Sequence, residues 1–186
     1  VSYPDQAPSS GTVAYVPLDD RPVNSDRAVY LAQSLGFEIL LPDQGLYHTS
    51  LDGQERNPSG TAYGDRGALW QWVAEQDAAG CDLFILSLDQ LLSGGLVSSR
   101  SMTGSDPILL SDGTALSEEE AVKRFLLPLC ADSANQVYLL DTVMRLAPTV
   151  GYDGFDLAGY EALRSYGMAE RPTLSNNALT IGNIVD

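Results

Sequence analysis

The chain is poor in the residues that most catalytic chemistries use. Of its 186 residues, two are cysteine, one is histidine (His48) and one is lysine (Lys123). Cys81 and Cys130 lack the paired spacing of a structural zinc site and cannot build a disulfide framework. A single bridge between them is one reading; two buried free thiols is the other. With one histidine, a Ser-His-Asp triad would have to run through His48, and no G-x-S-x-G elbow accompanies it. Cys–His catalysis lacks a convincing partner. H-E-x-x-H and G-x-G-x-x-G are missing too, which argues against zincin chemistry and a Rossmann dinucleotide site. No apolar stretch approaches the ~20 residues needed to cross a bilayer. Positive charge is the last shortage: 10 Lys and Arg face 25 Asp and Glu, for a net charge of −15. Such a field repels phosphate backbones and anionic headgroups, and argues against nucleic-acid and electrostatic membrane binding.

What the chain has is a recurring pattern. Four short apolar runs each end in aspartate: AYVPLDD (14–20), EILLPD (38–43), LFILSLD (83–89) and VYLLD (137–141). Apolar runs without polar alternation read as strands buried on both faces, as in a parallel sheet covered by helices. Between them lie helical patterns. Ala28, Leu31, Ala32 and Leu35 fall on one face of a helix capped by Asn24 or Ser25. A second helix spans about 65–79 with Leu69, Trp72 and Val73 inward. Ser117 and Glu120 form a capping box for a third, which Pro128 should kink or end. A last helix starts near Asp156. Residues 105–114 read as a loop or small hairpin, and 43–63 as a long polar loop. The order is βα repeated four times, with right-handed crossovers expected. The predicted fold class is α/β with a parallel sheet: half of a TIM-barrel-like (β/α) fold, or an open doubly wound sheet. Residues 1–11 read as a flexible tether of the kind left when a leader is removed, which points to an extracellular or cell-envelope location. Residues 12–186 read as the α/β domain.

In α/β folds the ligand sits outside the carboxyl ends of the strands, so the terminal aspartates are the first site candidates. The strongest motif is PLDDRPVNSDR (17–27). Asp19, Asp20 and Arg21 leave a buried strand together, and Asn24 follows one turn later. Adjacent carboxylates beside a guanidinium suit an acid–base pair, a metal clamp or a grip on sugar hydroxyls. The bland alternative is one aspartate capping the helix and the other paired with Arg21. The second motif is LSLDQLLSGGLVSSR (86–100), with Asp89 at the strand end, Gly94 and Gly95 for close backbone approach, and Arg100 as a fork for a carboxylate. Its alternative is a glycine turn with no ligand. The third is LLDTVMRLAPT (139–149), where Asp141 and Arg145 share a face if the turn is helical; a surface ion pair explains them equally well. Tyr47 and Tyr63 could stack on a sugar or on the core, and His48 reads as a solvated loop histidine.

The segments PLDDRPVN, LLPD, SLDQLLSGGLVSSR and LLDTVMR together resemble a bacterial family, domain of unknown function 4127. Its members are similar in opening with P-L-D-D-R-P-V-N and continuing with S-L-D…G-G-L-x-x-R. The resemblance covers most of residues 12–149. It implies a longer protein of which this is the amino-terminal portion, and it carries Asp19, Asp20, Arg21, Asn24, Asp89, Gly94, Gly95 and Arg100 as motif positions. It brings no assigned activity.

The functional expectation is a carbohydrate-active, glycosidase-like hydrolase. Asp19, Asp20 and Asp89 are its candidate acids; Arg21, Asn24, Gly94, Gly95, Arg100, Asp141 and Arg145 are its binding groups. Glycoside cleavage needs two carboxyl groups about 5–10 Å apart, and Asp20 with Asp89 on different strands could meet that. A non-catalytic module gripping a small polar ligand is the alternative from another class. A Mg²⁺- or Ca²⁺-dependent hydrolase is the third reading, although no metal ligand is assigned and no cofactor is required. Apolar strand edges would call for a missing carboxyl-terminal half or a homodimer.

Overall fold

The computed structural model describes residues 11–47, 63–96, 98–100, 106–142, 150 and 156–168. The chain divides into two compact units, residues 1–143 and 144–186. The first unit opens with β1 (Thr12–Val16), α1 (Asp26–Ser34), β2 (Glu38–Leu40) and the short α2 (Gln44–Tyr47). After α3 (Arg66–Ala78) come β3 (Leu83–Ser87) and α4 (Leu88–Ser93), then a hairpin of β4 (Ile108–Leu109) and β5 (Ala115–Leu116). A helix in three parts follows: α5 (Glu118–Ala121), a π turn (Val122–Leu126) and α6 (Leu127–Ala131). It leads into β6 (Gln136–Leu140). The second unit contributes α7 (Leu157–Met168), whose first turn is held by Gly159 N–H donating to Asp156 at 2.7 Å.

The four long strands form one parallel sheet in the order β2-β1-β3-β6. The strands β1 and β2 run consecutively to one side, and the chain then returns across β1 to place β3 on the other. This is the order of an open doubly wound sheet, with its switch point between β1 and β3. A half-barrel sets each strand beside its successor, and that order is not seen here. The barrel alternative therefore gives way to the open sheet.

Register explains the core. Ala14 pairs with Phe84 and Phe84 with Val137; Val16 pairs with Leu86 and Leu86 with Leu139. In parallel strands such partners share a face. Ala14, Val16, Phe84 and Leu86 are buried against Leu69, Trp70 and Val73 of α3 and Leu126 and Leu129 of the three-part helix. Trp70 stacks on Phe125 at 5.7 Å between ring centres, and its indole N–H donates to the Leu91 carbonyl at 3.0 Å. Trp70, rather than the expected Trp72, is therefore the inward tryptophan; Trp72 packs at the margin.

Three helices depart from expectation. α2 (Gln44–Tyr47) forms at the start of residues 43–63, which read as a loop. α1 buries none of its residues, and Leu31 and Leu35 are 61% and 62% exposed. The predicted inward face of α1 thus lies open. Pro128 does not end the third helix. Lacking an N–H, it cannot bond the carbonyl one turn back, and the π turn directly before it absorbs the mismatch so that the helix continues to Ala131. The capping box holds as expected, with Ser117 and Glu120 bonded reciprocally. Both cysteines are free thiols, not a disulfide. Cys81 is buried and bonds the Thr12 and Leu83 carbonyls, while Cys130 is exposed rather than buried.

Candidate functional site

The parallel register sets the height of the polar rim. Asp19 lies three residues beyond Val16, Asp89 three beyond Leu86, and Thr142 three beyond Leu139, and these anchor residues are partners across three adjacent strands. The carboxyl ends of β1, β3 and β6 therefore deliver these side chains to the same edge of the sheet.

Asp19 is 3% exposed, and donors occupy both of its oxygens. Oδ1 accepts from the Arg21 backbone N–H at 3.1 Å and from Asn24 Nδ2 at 2.6 Å. Oδ2 accepts from Arg21 Nε at 2.8 Å and Nη2 at 2.7 Å. This is a local loop lock. The turn after β1 brings residues 21 and 24 back over residue 19, and a buried carboxylate needs that many donors to stay in place. The Asp19 bond is also the chief reason the Arg21 guanidinium holds its proton even more firmly than usual. Asn24, weighed as a helix cap, serves the lock instead. Ser25 occupies the cap position without a side-chain cap bond, and its hydroxyl bonds the Arg21 carbonyl at 3.2 Å.

Asp89 is 5% exposed and ties two strand ends together: Thr142 donates its hydroxyl to Oδ1 at 3.0 Å and its N–H to Oδ2 at 3.2 Å. Gly94 and Gly95 close α4. Gly94 is left-handed (φ 79°), and the two N–H groups return to the carbonyls of Gln90 and Asp89. Gly94 also lies hard against residues 63–64, where a Cβ would sit 3.0 Å from that of Tyr63. The glycine pair thus ends α4 and turns the chain. Arg100 ends a half-buried 3₁₀ turn (Ser98–Arg100). Asp141 is exposed and accepts from the Thr142 N–H at 2.9 Å. Arg145 and His48 lie outside the described residues.

Asp20, in the turn after β1, is half-buried and follows Asp19 directly, next to a partly exposed Arg21. Two tyrosines sit close by. Tyr15 donates to the Asn24 carbonyl at 2.5 Å. Its phenol pKa is raised by burial first, then by the charge of Asp19 and by Tyr47. Tyr47, packed in the core, is raised by burial and then by the charges of Asp20, Asp26 and Asp43. Carboxylates from the ends of β1 and β2 therefore converge electrically on one phenol. The run EILLPD pointed to Asp43. The parts played by Tyr15 and Thr142 left no trace in spacing, because they come from a fold contact rather than a motif. Among the described residues no group of three or more His, Cys, Asp or Glu side chains could hold a metal ion, so the Mg²⁺/Ca²⁺ reading gains no support.

Fold and site together define a doubly wound α/β protein with a polar cluster at its topological switch point. The sequence matches the family described as Protein of unknown function (DUF4127) over residues 13–166, and the chain belongs to that family. No curated protein and no solved structure matches it. Among the described residues no helix is long and apolar enough to cross a membrane.

Proposed function

We propose that the crevice outside β1 and β3 binds a small, neutral, polyhydroxylated ligand of the sugar class. The observation that carries this reading is the Asp19 lock at the switch point. By consuming Asp19 and Asn24 internally, it fixes the backbone of the β1 turn, which carries the half-buried Asp20 and the partly exposed Arg21. A carboxylate acceptor beside a guanidinium donor suits neighbouring hydroxyls, and pre-set geometry reduces the ordering cost of binding. The net charge of −15 selects against anionic ligands such as sugar phosphates and uronic acids.

Titration calorimetry with neutral monosaccharides and disaccharides, set beside the matching uronic acids, tests this. Asp20→Asn and Arg21→Met should each weaken binding by about tenfold, or ~1.4 kcal/mol. Failure of the wild-type chain to bind any neutral sugar at millimolar concentration sinks the reading.

Glycosidase-like hydrolysis is the second reading. What supports it is that the expected acids Asp20 and Asp89 follow β1 and β3, which are neighbours in the sheet. It requires release of nitrophenol from nitrophenyl glycosides, and turnover should be lost in Asp20→Asn while binding persists. Binding without release on the whole glycoside panel leaves the site a non-catalytic module.

A further inference from the structure

Among the described residues, Gln90 is the one side chain whose buried nitrogen and oxygen both lack a hydrogen-bond partner. It is 0% exposed. A buried amide with neither donor nor acceptor satisfied destabilises the fold, and an unbranched apolar side chain of similar length would avoid that cost. Its position is as informative as its isolation. Gln90 directly follows Asp89 at the carboxyl end of β3, the strand that borders the switch point.

What covers the amide is backbone. A Cβ on Gly64 would lie 1.6 Å from Gln90 Nε2 and 2.8 Å from its Cδ, so the amide is pressed against a bare Cα. The Gly64 segment is pinned by the Gly64 N–H on the Gly94 carbonyl at 3.0 Å and the Asp65 N–H on the Leu46 carbonyl at 2.7 Å. Moving residues 63–65 outward breaks those two bonds and loosens the Asp65 cap of α3, where its Oδ1 and carbonyl accept from the Ala68 and Leu69 N–H groups at 3.0 Å; water can replace all four, and the move hydrates an amide that has no partner in the closed state.

We propose that residues 63–65 are a strap that opens over Gln90, and that the Gln90 amide then reads adjacent hydroxyls of the ligand at the switch-point site. A carboxamide offers one acceptor and a neighbouring donor, and a vicinal diol answers both. The ligand half of this inference rests on the sugar reading above; the strap half stands without it.

Hydrogen exchange on the full chain tests the strap. In the wild type the Gly64 and Asp65 amides should exchange at least about tenfold faster than those of Trp70–Val73 in α3. In Gln90→Met, where opening no longer hydrates a stranded amide, exchange at Gly64 and Asp65 should slow by about tenfold, with Tm equal or higher. Gly64→Ala, whose methyl must displace the amide, should speed the same two amides. Unchanged exchange or a lower Tm in Gln90→Met would mean that the amide is already satisfied, and would overturn the strap. For the ligand half, glucose, galactose and mannose serve as calorimetric probes. Gln90→Met should weaken whichever the wild type binds by about tenfold or more. Equal affinity overturns the role of Gln90 and leaves the sugar reading intact. No binding by the wild type removes the sugar reading and this ligand role together, and the exchange data then decide the strap alone.

Discussion

Asp19 and Asp20 are chain neighbours with opposite employment. Asp19 turns inward to four donors, whereas Asp20 is only half-buried. Asp19→Ala leaves Asn24 and the Arg21 N–H without their acceptor, and we expect it to cost about 2 kcal/mol. Arg21 contributes little of that, because its guanidinium is partly in solvent. Asp20→Asn should stay within about 0.5 kcal/mol. Thermal unfolding of both variants checks the contrast, and equal losses would contradict the lock. The tyrosines give this site a pH signature. The phenols of Tyr15 and Tyr47 are raised in the folded chain, so the stability they contribute is complete below the ordinary tyrosine pKa of 10.0. It is lost as pH rises through the higher folded values, because the unfolded chain gives up those protons first. Denaturant titrations above pH 10 should show this loss, and Tyr47→Phe should blunt it without removing any hydrogen bond of the lock.

At the scale of elements, one side chain fastens three of them. Arg66, at the start of α3, donates Nη1 to the Leu92 carbonyl at 2.8 Å, and Nη2 to Asp106 at 2.6 Å and Pro107 at 3.3 Å. It thereby joins α3 to the end of α4 and to the approach to β4, and burial lowers its pKa. Lysine cannot span this fork, so Arg66→Lys should lose about 1–2 kcal/mol, read as a lowered denaturation midpoint at unchanged m-value. Sequence alone revealed none of this, since the partners are backbone carbonyls about 26–41 positions away. What sequence did reveal follows from local rules. β6 takes in the apolar residues of the expected run VYLLD, because such a run between turn residues leaves little choice. The capping box and the hairpin follow equally from neighbours. Strand order did not, since four βα units are compatible with either a barrel or an open sheet until β3 crosses β1. The face of α1 failed for a related reason. Ala28, Leu31, Ala32 and Leu35 have helical period, but period does not state that anything lies opposite. At the site, strand ends located the rim, while the division of labour among Asp19, Asp20 and Asp89 depended on donors brought in by Asn24 and Thr142.

For the whole molecule, two surface properties oppose each other. The net charge of −15 keeps copies apart, and at low ionic strength its reach exceeds the ~10 Å screening length of 0.1 M salt. Yet β6 is the last strand of the described sheet, carries no charged residue over 136–140, and leaves Tyr138 and Leu140 57% and 48% exposed. An uncharged apolar edge is a template for a further strand, and edges of this kind are commonly blunted with lysine or proline, neither of which occurs in QVYLL. Repulsion is long-ranged and screened by salt, whereas strand pairing and apolar contact are short-ranged and are not. Sedimentation velocity should therefore find a monomer at about 0.01 M salt and growing association toward ~1 M, where the screening length falls to about 3 Å. Leu140→Lys places a charge on the edge itself and should hold the chain monomeric across that range without loss of stability, because this side chain is already half in water. Association that falls with added salt, or that survives Leu140→Lys, would place the contact elsewhere and leave β6 an edge that its surroundings already guard.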